Sequence, residues 1–296
     1  MGNYLYKLVI NAHTDKSAFL GSKSKEINPA LDKDDTVANW IPENTKSQFT
    51  YSFDNLKLNY YIAKSRKATN KWAILCHGYN GNALRVSESA MCFYNMGFNI
   101  LIPDARGHGK SEGNYIGMGW HDRLDIIDWA NYIINKNSNS KIILHGVSMG
   151  AATVMMATGE FLPDNVKVAI EDCGYTSIWD EFEMQLKLLY NLPAFPALNA
   201  ASAVCRIRAG YMLEEGSAIE QVRKSKTPTL FIHGDEDKFV PFEMLDKVYE
   251  AANFMKQFPE TLVPKRTGSK VIMKLDASKE FFGINFKKTV FDKFKK

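Results

Sequence analysis

The chain has 296 residues, 45% of them hydrophobic, which suits one large globular domain or two small ones and excludes a disordered chain. Its net charge of +4 is unevenly spread. Residues 254–296 carry 11 Lys and Arg against 4 Asp and Glu, a charge of +7, which leaves −3 for residues 1–253. The body of the chain therefore lacks the basic character that nucleic-acid binding requires, and we expect no nucleic-acid partner.

The cysteines and the first residues of the sequence indicate the cellular compartment in which we expect the protein. The four cysteines show no metal-ligand spacing, and Cys76 lies in an apolar run, which favours buried free thiols in a reducing, cytoplasmic compartment. Residues 3–12 are too short and too polar to span a membrane, and they lack the features of a secretory signal. We expect a short amphipathic helix there, at the start of a polar lead-in over residues 1–45.

Strand and helix patterns alternate through the first half of the chain. β-Forming residues on both sides of Asp54-Asn55 predict a hairpin, and the later apolar runs predict buried strands. The predicted strands cover residues 48–53, 56–63, 72–78 and 98–104, and the predicted helices cover residues 86–96 and 123–134. This alternation predicts an α/β fold with a mostly parallel sheet flanked by helices.

The stretch 141–159 predicts a strand, a sharp turn and a helix. An apolar run leads into Gly146-Val147-Ser148-Met149-Gly150, and the small apolar residues 151–157 follow with the composition of a buried helix. Glycines two places either side of Ser148 allow helix and strand to pack closely, which places the serine in a strained backbone with its hydroxyl exposed. The positive end of the helix would favour a developing oxyanion there.

The alternation is interrupted after a predicted strand over residues 166–170. Residues 176 to about 215 predict helices broken by two prolines and rich in Met, Leu, Phe and Tyr. A segment this long and apolar indicates an inserted helical cap, with an ordinary pair of connecting helices as the alternative. Alternation resumes with a strand over residues 227–234 and a helix over residues 242–253.

Four short motifs follow one another along these elements. They are His77-Gly78-Tyr79-Asn80-Gly81, Asp104-Ala105-Arg106-Gly107-His108-Gly109, Gly146 to Gly150, and His233 to Pro241. In this order they resemble the α/β-hydrolase superfamily, in particular its serine esterase and serine peptidase-like branch with a helical cap. The resemblance covers about residues 46–253, and it implies an α/β-hydrolase domain over residues 46–296 whose basic tail, 254–296, diverges from the family.

The resemblance also implies roles for individual residues. Ser148 matches the nucleophile, and the backbone N–H groups of Met149 and Tyr79 match the two oxyanion donors. Asp237 matches the acid that orients a histidine, and Asp172 is an alternative acid. The implied partner is a small-molecule acyl substrate, for which the aromatic and Met-rich cap favours apolar acyl groups. No metal or organic cofactor is implied.

The histidine of the expected triad is absent from its place. In the family it follows the acid, behind the last strand, yet His233 is the last histidine of the chain. Residues 260–265 and 270–275 are both candidates for that strand, and the loops behind them, 266–269 and 276–279, contain no imidazole. The family motifs make His77 and His108 structural loop residues, and a closing amphipathic helix is expected around Phe286, Val290 and Phe294.

Three explanations account for the missing base. The tail is altered, the protein is a non-catalytic descendant that binds a ligand, or another histidine, His108 or His121, has taken over. Loss of the base from a serine triad lowers kcat by about 10⁶. The sequence therefore predicts a serine hydrolase with impaired turnover or a pseudo-hydrolase that acts as a binding or regulatory module. The basic tail leaves peripheral membrane association open, although a solvated face is the simpler account.

Overall fold

The computed structural model of the protein describes residues 1–16, 45–252, 261–262, 265–266 and 269–275. Its strands are β1 (Ser47–Tyr51), β2 (Lys57–Ala63), β3 (Lys71–Cys76), β4 (Asn99–Pro103), β5 (Lys141–Val147), β6 (Val166–Asp172), β7 (Thr229–Gly234), β8 (Thr261–Leu262), β9 (Lys265–Arg266) and β10 (Ser269–Leu275). They form one sheet in the order β1-β2-β4-β3-β5-β6-β7-β10-β8, with β9 paired to β10 off this path. Neighbouring strands from β4 through β7 are parallel, so the predicted mostly parallel sheet is confirmed.

Helices flank the sheet on both faces. The α-helices are α1 (Gly2–Leu5), α2 (Ser87–Asn95), α3 (Asp122–Lys136), α4 (Met149–Thr158), α5 (Ile178–Tyr190), α6 (Ala197–Ala209), α7 (Ala218–Val222) and α8 (Glu243–Ala251). Helices α5 and α6 occupy the stretch where the sequence predicts an inserted cap. None of the helices in the described part of the chain is long and apolar enough to cross a membrane.

The core follows from the two-residue period of the strands. Along β3, Ala73 and Leu75 belong to an apolar cluster that includes residues of α2, whereas Trp72 and Ile74 belong to a cluster with residues of α3. Successive side chains of a strand point to opposite faces, so both faces of β3 are buried. A strand buried on both faces is continuously apolar, which is the pattern that residues 72–78 show.

The last long strand runs against its neighbour. β10 pairs with β7 in antiparallel register, with Val271 opposite Gly234 and Leu275 opposite Leu230. Of the two candidate strands, residues 270–275 therefore lie within β10, but the chain enters β10 at the carboxyl end of β7 and leaves it near the amino end. Leu275, the last residue of β10, thus lies near the amino end of β7, opposite the carboxyl ends of β5 and β7.

The predicted hairpin is anchored to the rest of the domain through Arg106. Its fully buried guanidinium donates Nε and Nη2 to the Asp125 carboxylate at 2.9 and 2.7 Å, and Nη1 to Asp54 at 2.9 Å. The flat fork of five N–H donors suits two carboxylates at once. Arg106 thereby joins the loop after β4 to the β1–β2 turn and to α3.

Residues 2–10 form a helix that packs on the domain with one face buried, whereas Tyr4 on its other face is 63% exposed. α1 continues as one wider turn, Tyr6–Ile10, and together they form the N-terminal helix. A Cβ atom at Gly2 would lie 2.3 Å from the Ala200 carbonyl oxygen, so the start of the helix touches the backbone of α6. Its other end is held by the Ile116 N–H, which donates to the Ile10 carbonyl at 2.7 Å.

Several sequence expectations concern residues outside the described ranges. The polar lead-in beyond residue 16, the loop 276–279 and the closing helix around residues 286–294 all lie there. Residues 263–264 and 267–268 also lie outside them, so the candidate strand 260–265 and the loop 266–269 are described only in part.

Candidate active site

Ser148 occupies a strained turn between β5 and α4. Its backbone angles are φ 54° and ψ −118°, outside the regions that residues with side chains favour. The conformation is held on both sides: the Ser148 N–H donates to the Asp172 carbonyl at 2.8 Å, and the Ser148 carbonyl accepts from the Ala152 N–H at 3.0 Å. Strain of this kind persists only where the surrounding structure fixes it.

The two glycines of the motif explain why the turn fits. A Cβ atom at Gly146 would lie 2.1 Å from the Gly150 carbonyl oxygen, and one at Gly150 would lie 2.3 Å from the carbonyl oxygen of Cys76. Helix α4 therefore rests directly on the backbone of β3 and β5. Neither position has room for a side chain, which is the physical reason for the predicted spacing.

The loop after β3 passes beside the serine. A Cβ atom at Gly78 would lie 3.4 Å from the Ser148 Cβ and 3.9 Å from its Oγ. Tyr79 follows this contact directly, and Met149 is the first residue of α4, where a backbone N–H has no acceptor within its own helix. The two predicted oxyanion donors thus belong to segments that meet at Ser148.

Both candidate acids lie at the carboxyl ends of strands of the sheet. Asp172 ends β6, and its backbone contacts Ser148 through the hydrogen bond described above. Asp237 lies in the loop after β7, where its Oδ1 accepts from the N–H groups of Phe239 and Val240 at 2.9 and 3.0 Å. Asp237 therefore also forms the turn contacts expected of a structural aspartate.

Cys173 directly follows Asp172 at the end of β6, a position that the sequence patterns did not single out. It is a partly buried free thiol with φ 55°, and its N–H donates to the Ile232 carbonyl at 2.8 Å. Burial and the nearby charges of Asp172 and Asp237 raise the pKa of the Cys173 thiol well above its usual value. The thiol therefore stays protonated at neutral pH.

Glu181 of α5 is a second residue that sequence reasoning missed. It is 4% exposed, and its Oε1 accepts from the Gln185 Nε2 at 3.0 Å. Burial raises the pKa of Glu181 to about 8, against the Gln185 hydrogen bond and with the help of the Asp237 charge. A signal existed: the buried residues of α5 recur at helical spacing, at Ile178, Glu181, Phe182, Gln185 and Leu186.

The histidines of the two loop motifs are structural. His77 Nδ1 lies 2.8 Å from the Gly78 carbonyl, and its Nε2 accepts from the Ala105 N–H at 3.0 Å. The His108 Nδ1 lies 3.1 Å from the Arg106 carbonyl. Burial lowers the pKa of both rings to about 4. Each histidine holds a turn, as the family motifs implied.

The remaining candidate bases are also engaged elsewhere. His121 Nδ1 lies 2.6 Å from the hydroxyl of Tyr115, and its ring packs against Tyr211. His233 is fully buried on β7, where its Nε2 donates to the Val240 carbonyl at 2.8 Å and lies 3.8 Å from Asp237 Oδ2. The described contacts of these two rings do not include Ser148.

Sheet order, the strand–serine–helix junction and the glycine loop beside it are together those of the α/β-hydrolase fold. Residues 67–192 match the family model described as serine aminopeptidase, S33. In solved structures, the esterase Pf2001 of Pyrococcus furiosus superposes with a TM-score of 0.57 at 21% identity, over 73% of this chain and 82% of that one. The acylaminoacyl peptidase of Pyrococcus horikoshii superposes with a TM-score of 0.51 at 16% identity, over 70% and 34%.

The sequence relatives match over part of their length. The uncharacterized protein YqkD of Bacillus subtilis (strain 168) is 32% identical over 178 residues, which are 60% of this chain and 58% of that protein. Protein bem46 of Schizosaccharomyces pombe is 25% identical over 67% of this chain and 64% of its own length. The chain thus spans less than two thirds of these relatives.

The buried Glu181 predicts a pH dependence of stability. Because its pKa is raised in the folded protein, the carboxyl group favours folding below its unfolded pKa, and this stabilisation is lost as pH rises toward 8. Between pH 5 and 8 we expect the free energy of unfolding of wild type to fall by a few kcal/mol relative to that of Glu181→Gln. Each unit of pKa shift corresponds to about 1.36 kcal/mol.

Urea unfolding of both proteins at several pH values measures this difference. The exposed Glu183→Gln, on the same helix, is the matched control and should follow wild type. Parallel pH profiles for wild type and Glu181→Gln would contradict a protonated, buried carboxyl group.

Proposed function

We propose that the protein attacks the carbonyl carbon of an ester, thioester or amide of a small or apolar acyl substrate through the Ser148 hydroxyl. The superfamily and the fold point to esterase- or peptidase-like chemistry. The observation that carries the assignment to Ser148 is its strained backbone at the junction of β5 and α4, which only close backbone packing maintains. Strain of this kind clusters at active sites.

The proposed reaction uses the groups that meet at the serine. Attack by Oγ forms a tetrahedral oxyanion, which the N–H groups of Met149 and Tyr79 would stabilise. Expulsion of the alcohol, thiol or amine leaves an ester on Ser148, and water then hydrolyses it. Asp237 would orient and stabilise a protonated histidine, but the chain has no histidine after position 233. Turnover is therefore expected to be slow.

The setting of this chemistry is part of the proposal. Helices α5 and α6 would act as a cap over the site within a hydrolase domain of residues 46–296. The chain would work in the cytoplasm on a small-molecule substrate, and its basic tail would allow peripheral contact with a membrane.

A second candidate function is that of a non-catalytic ligand-binding or regulatory module. The histidine contacts favour it: the two ring nitrogens of His77 bind Gly78 and Ala105, and His121 pairs with Tyr115. In this candidate the protein binds an acyl compound near Ser148 without cleaving it.

Covalent labelling separates the two candidates. A fluorophosphonate probe should label wild type more slowly than a control esterase, because the oxyanion site is present and the base is absent. Ser148→Ala should show no labelling, which gel fluorescence and mass spectrometry measure. If wild type is not labelled while the control esterase is, the hydrolase proposal fails and the binding module stands.

The antiparallel β10 predicts where a histidine would restore activity. Ser269 begins β10 two positions before Val271, which pairs with Gly234 at the carboxyl end of β7, near the Asp237 loop. Ser269→His should raise p-nitrophenyl acetate hydrolysis by about 10²-fold or more, as a correctly placed general base does. Arg266, paired with Ser269, is a second position at this edge.

Ala277→His is the matched control. Position 277 follows Leu275 in the sequence, and Leu275 pairs with Leu230 near the amino end of β7. In the Ser269→His background, Asp237→Asn should remove the gain, and Asp172→Asn should leave most of it. An equal gain from Ala277→His would contradict the strand direction. No gain at position 266 or 269 would argue against an impaired hydrolase.

A further inference from the structure

Positive charge is concentrated at the edge of the sheet opposite Ser148, where the parallel strands begin. Two segments lie at this edge: residues 64–71 lead from β2 into β3, and residues 131–141 lead from the end of α3 into β5. Together they contain six Lys and Arg and no Asp or Glu, although residues 1–253 as a whole carry a net charge of −3. We call this cluster the basic edge, and its residues are Lys64, Arg66, Lys67, Lys71, Lys136 and Lys141.

The strand register places two of these cations side by side. Lys71 and Lys141 are the first residues of β3 and β5, and they are paired in the parallel register. Neighbouring strands lie about 4.8 Å apart and paired residues point to the same face, so the two side chains leave the sheet together. Like charges at this separation repel each other. A negatively charged partner would offset this repulsion.

Two more cations lie on the other face of the sheet. Trp72 points away from the face of Lys71, and the Lys64 Nζ lies 4.1 Å from the centre of the Trp72 ring. The Lys136 Nζ lies 4.7 Å from the centre of the Tyr132 ring. Burial and the charge of Lys136 lower the pKa of Lys64. The basic edge therefore carries repelling cations on both faces of the sheet.

The positive charge of the basic edge is not neutralised from within the described part of the chain. There, none of its six residues forms an ion pair with a carboxylate. Five of the six are exposed, and Lys71 is half-buried. Unpaired cations clustered on one surface produce a positive potential that attracts an anionic partner.

The basic tail continues from the same edge of the sheet. Leu275 ends β10 opposite Leu230, near the amino end of β7, and β7 runs parallel to its neighbour β6 in the sheet that contains β3 and β5. The residues that follow, 276–296, contain six Lys, five Phe and three Asp or Glu. Lysine together with phenylalanine is typical of segments that bind the surface of an anionic membrane.

From this arrangement we propose that the basic edge docks the protein on an anionic lipid bilayer. In the docked protein Ser148, at the carboxyl ends of the strands, would face away from the lipid. Docking goes beyond the proposed acyl chemistry and does not require it. It adds a surface of the folded domain to the membrane contact proposed for the tail.

Two observations favour a bilayer over a nucleic acid as the partner. Proteins that bind single-stranded nucleic acid stack bases on accessible aromatic rings, but Trp72 and Phe98, the rings beneath Lys64 and Lys71, are buried. The cations also lie on both faces of a sheet edge and not along one helix or groove. Such a distribution matches the flat array of charges on a membrane better than a single nucleic-acid strand.

Co-sedimentation with lipid vesicles tests the basic edge. Wild type should bind vesicles of phosphatidylcholine with about one third phosphatidylserine, more weakly as salt rises, and should not bind pure phosphatidylcholine. The double variant Lys71→Gln/Lys141→Gln should weaken binding by about tenfold or more. Lys7→Gln/Lys187→Gln removes the same charge at exposed positions on the N-terminal helix and α5, and should stay within about twofold of wild type.

Lysine footprinting of wild type covers the case in which the double variant does not fold, as judged by thermal unfolding. Acetylation followed by mass spectrometry measures how accessible each lysine is. Phosphatidylserine vesicles should slow the acetylation of Lys64, Lys136 and Lys141, and should leave that of Lys7 and Lys187 unchanged.

Four outcomes would overturn the proposal. They are no binding of wild type to phosphatidylserine vesicles, equal binding of the two double variants, protection of Lys7 and Lys187 in place of the basic edge, and binding of a DNA duplex without binding of vesicles. Equal binding of the double variants would leave the tail, which is intact in both, as the whole membrane contact.

Ser148→Ala keeps this test separate from that of catalysis. It should bind phosphatidylserine vesicles as wild type does, because the basic edge does not include the serine. Vesicle binding without fluorophosphonate labelling of wild type would leave the basic edge standing and remove the hydrolase proposal. Labelling without vesicle binding would do the reverse.

Discussion

Close contact between backbone segments holds Ser148 in a conformation that its own backbone disfavours. Such a conformation costs about 1–3 kcal/mol, which the packing around it must offset. Gly146 and Gly150 allow α4 to touch the sheet, and the carbonyl of Asp172 takes the serine N–H. The position of Ser148, the start of α4 and the close approach of the loop at Gly78 are consequences of this one arrangement.

The carboxylates near the serine create an environment that suits a cation. Asp172 and Asp237 both act on Cys173, and Asp237 also acts on the buried Glu181. A protonated imidazole among these carboxylates would be stabilised, which is how an acid supports a triad histidine. In the proposed hydrolase these carboxylates would support a histidine, and the sequence contains no histidine after position 233.

Local sequence predicted the sheet because its strands are continuously apolar and its turns carry glycine. The spacing around Ser148 could be predicted because a backbone contact leaves no room for a side chain at either glycine. Other features depend on distant contacts: the direction of β10 follows from pairing with β7, and α5, which carries Glu181, contacts the loop after Asp237 through Gln185 and the Phe239 carbonyl. The periodic pattern of α5 indicated that this helix has a buried face, but it did not indicate which segment covers that face.

The N-terminal helix has a consequence for how the molecule is assembled. Its first residues touch Ala200 and its last ones Ile116, contacts that are separated by long stretches of chain. Contacts between residues so far apart in sequence form late in folding, because a long loop must close first. During synthesis the apolar face of the N-terminal helix therefore stays exposed to solvent until α6 has left the ribosome. Packing of the N-terminal helix against α6 is therefore completed late in the synthesis of each molecule.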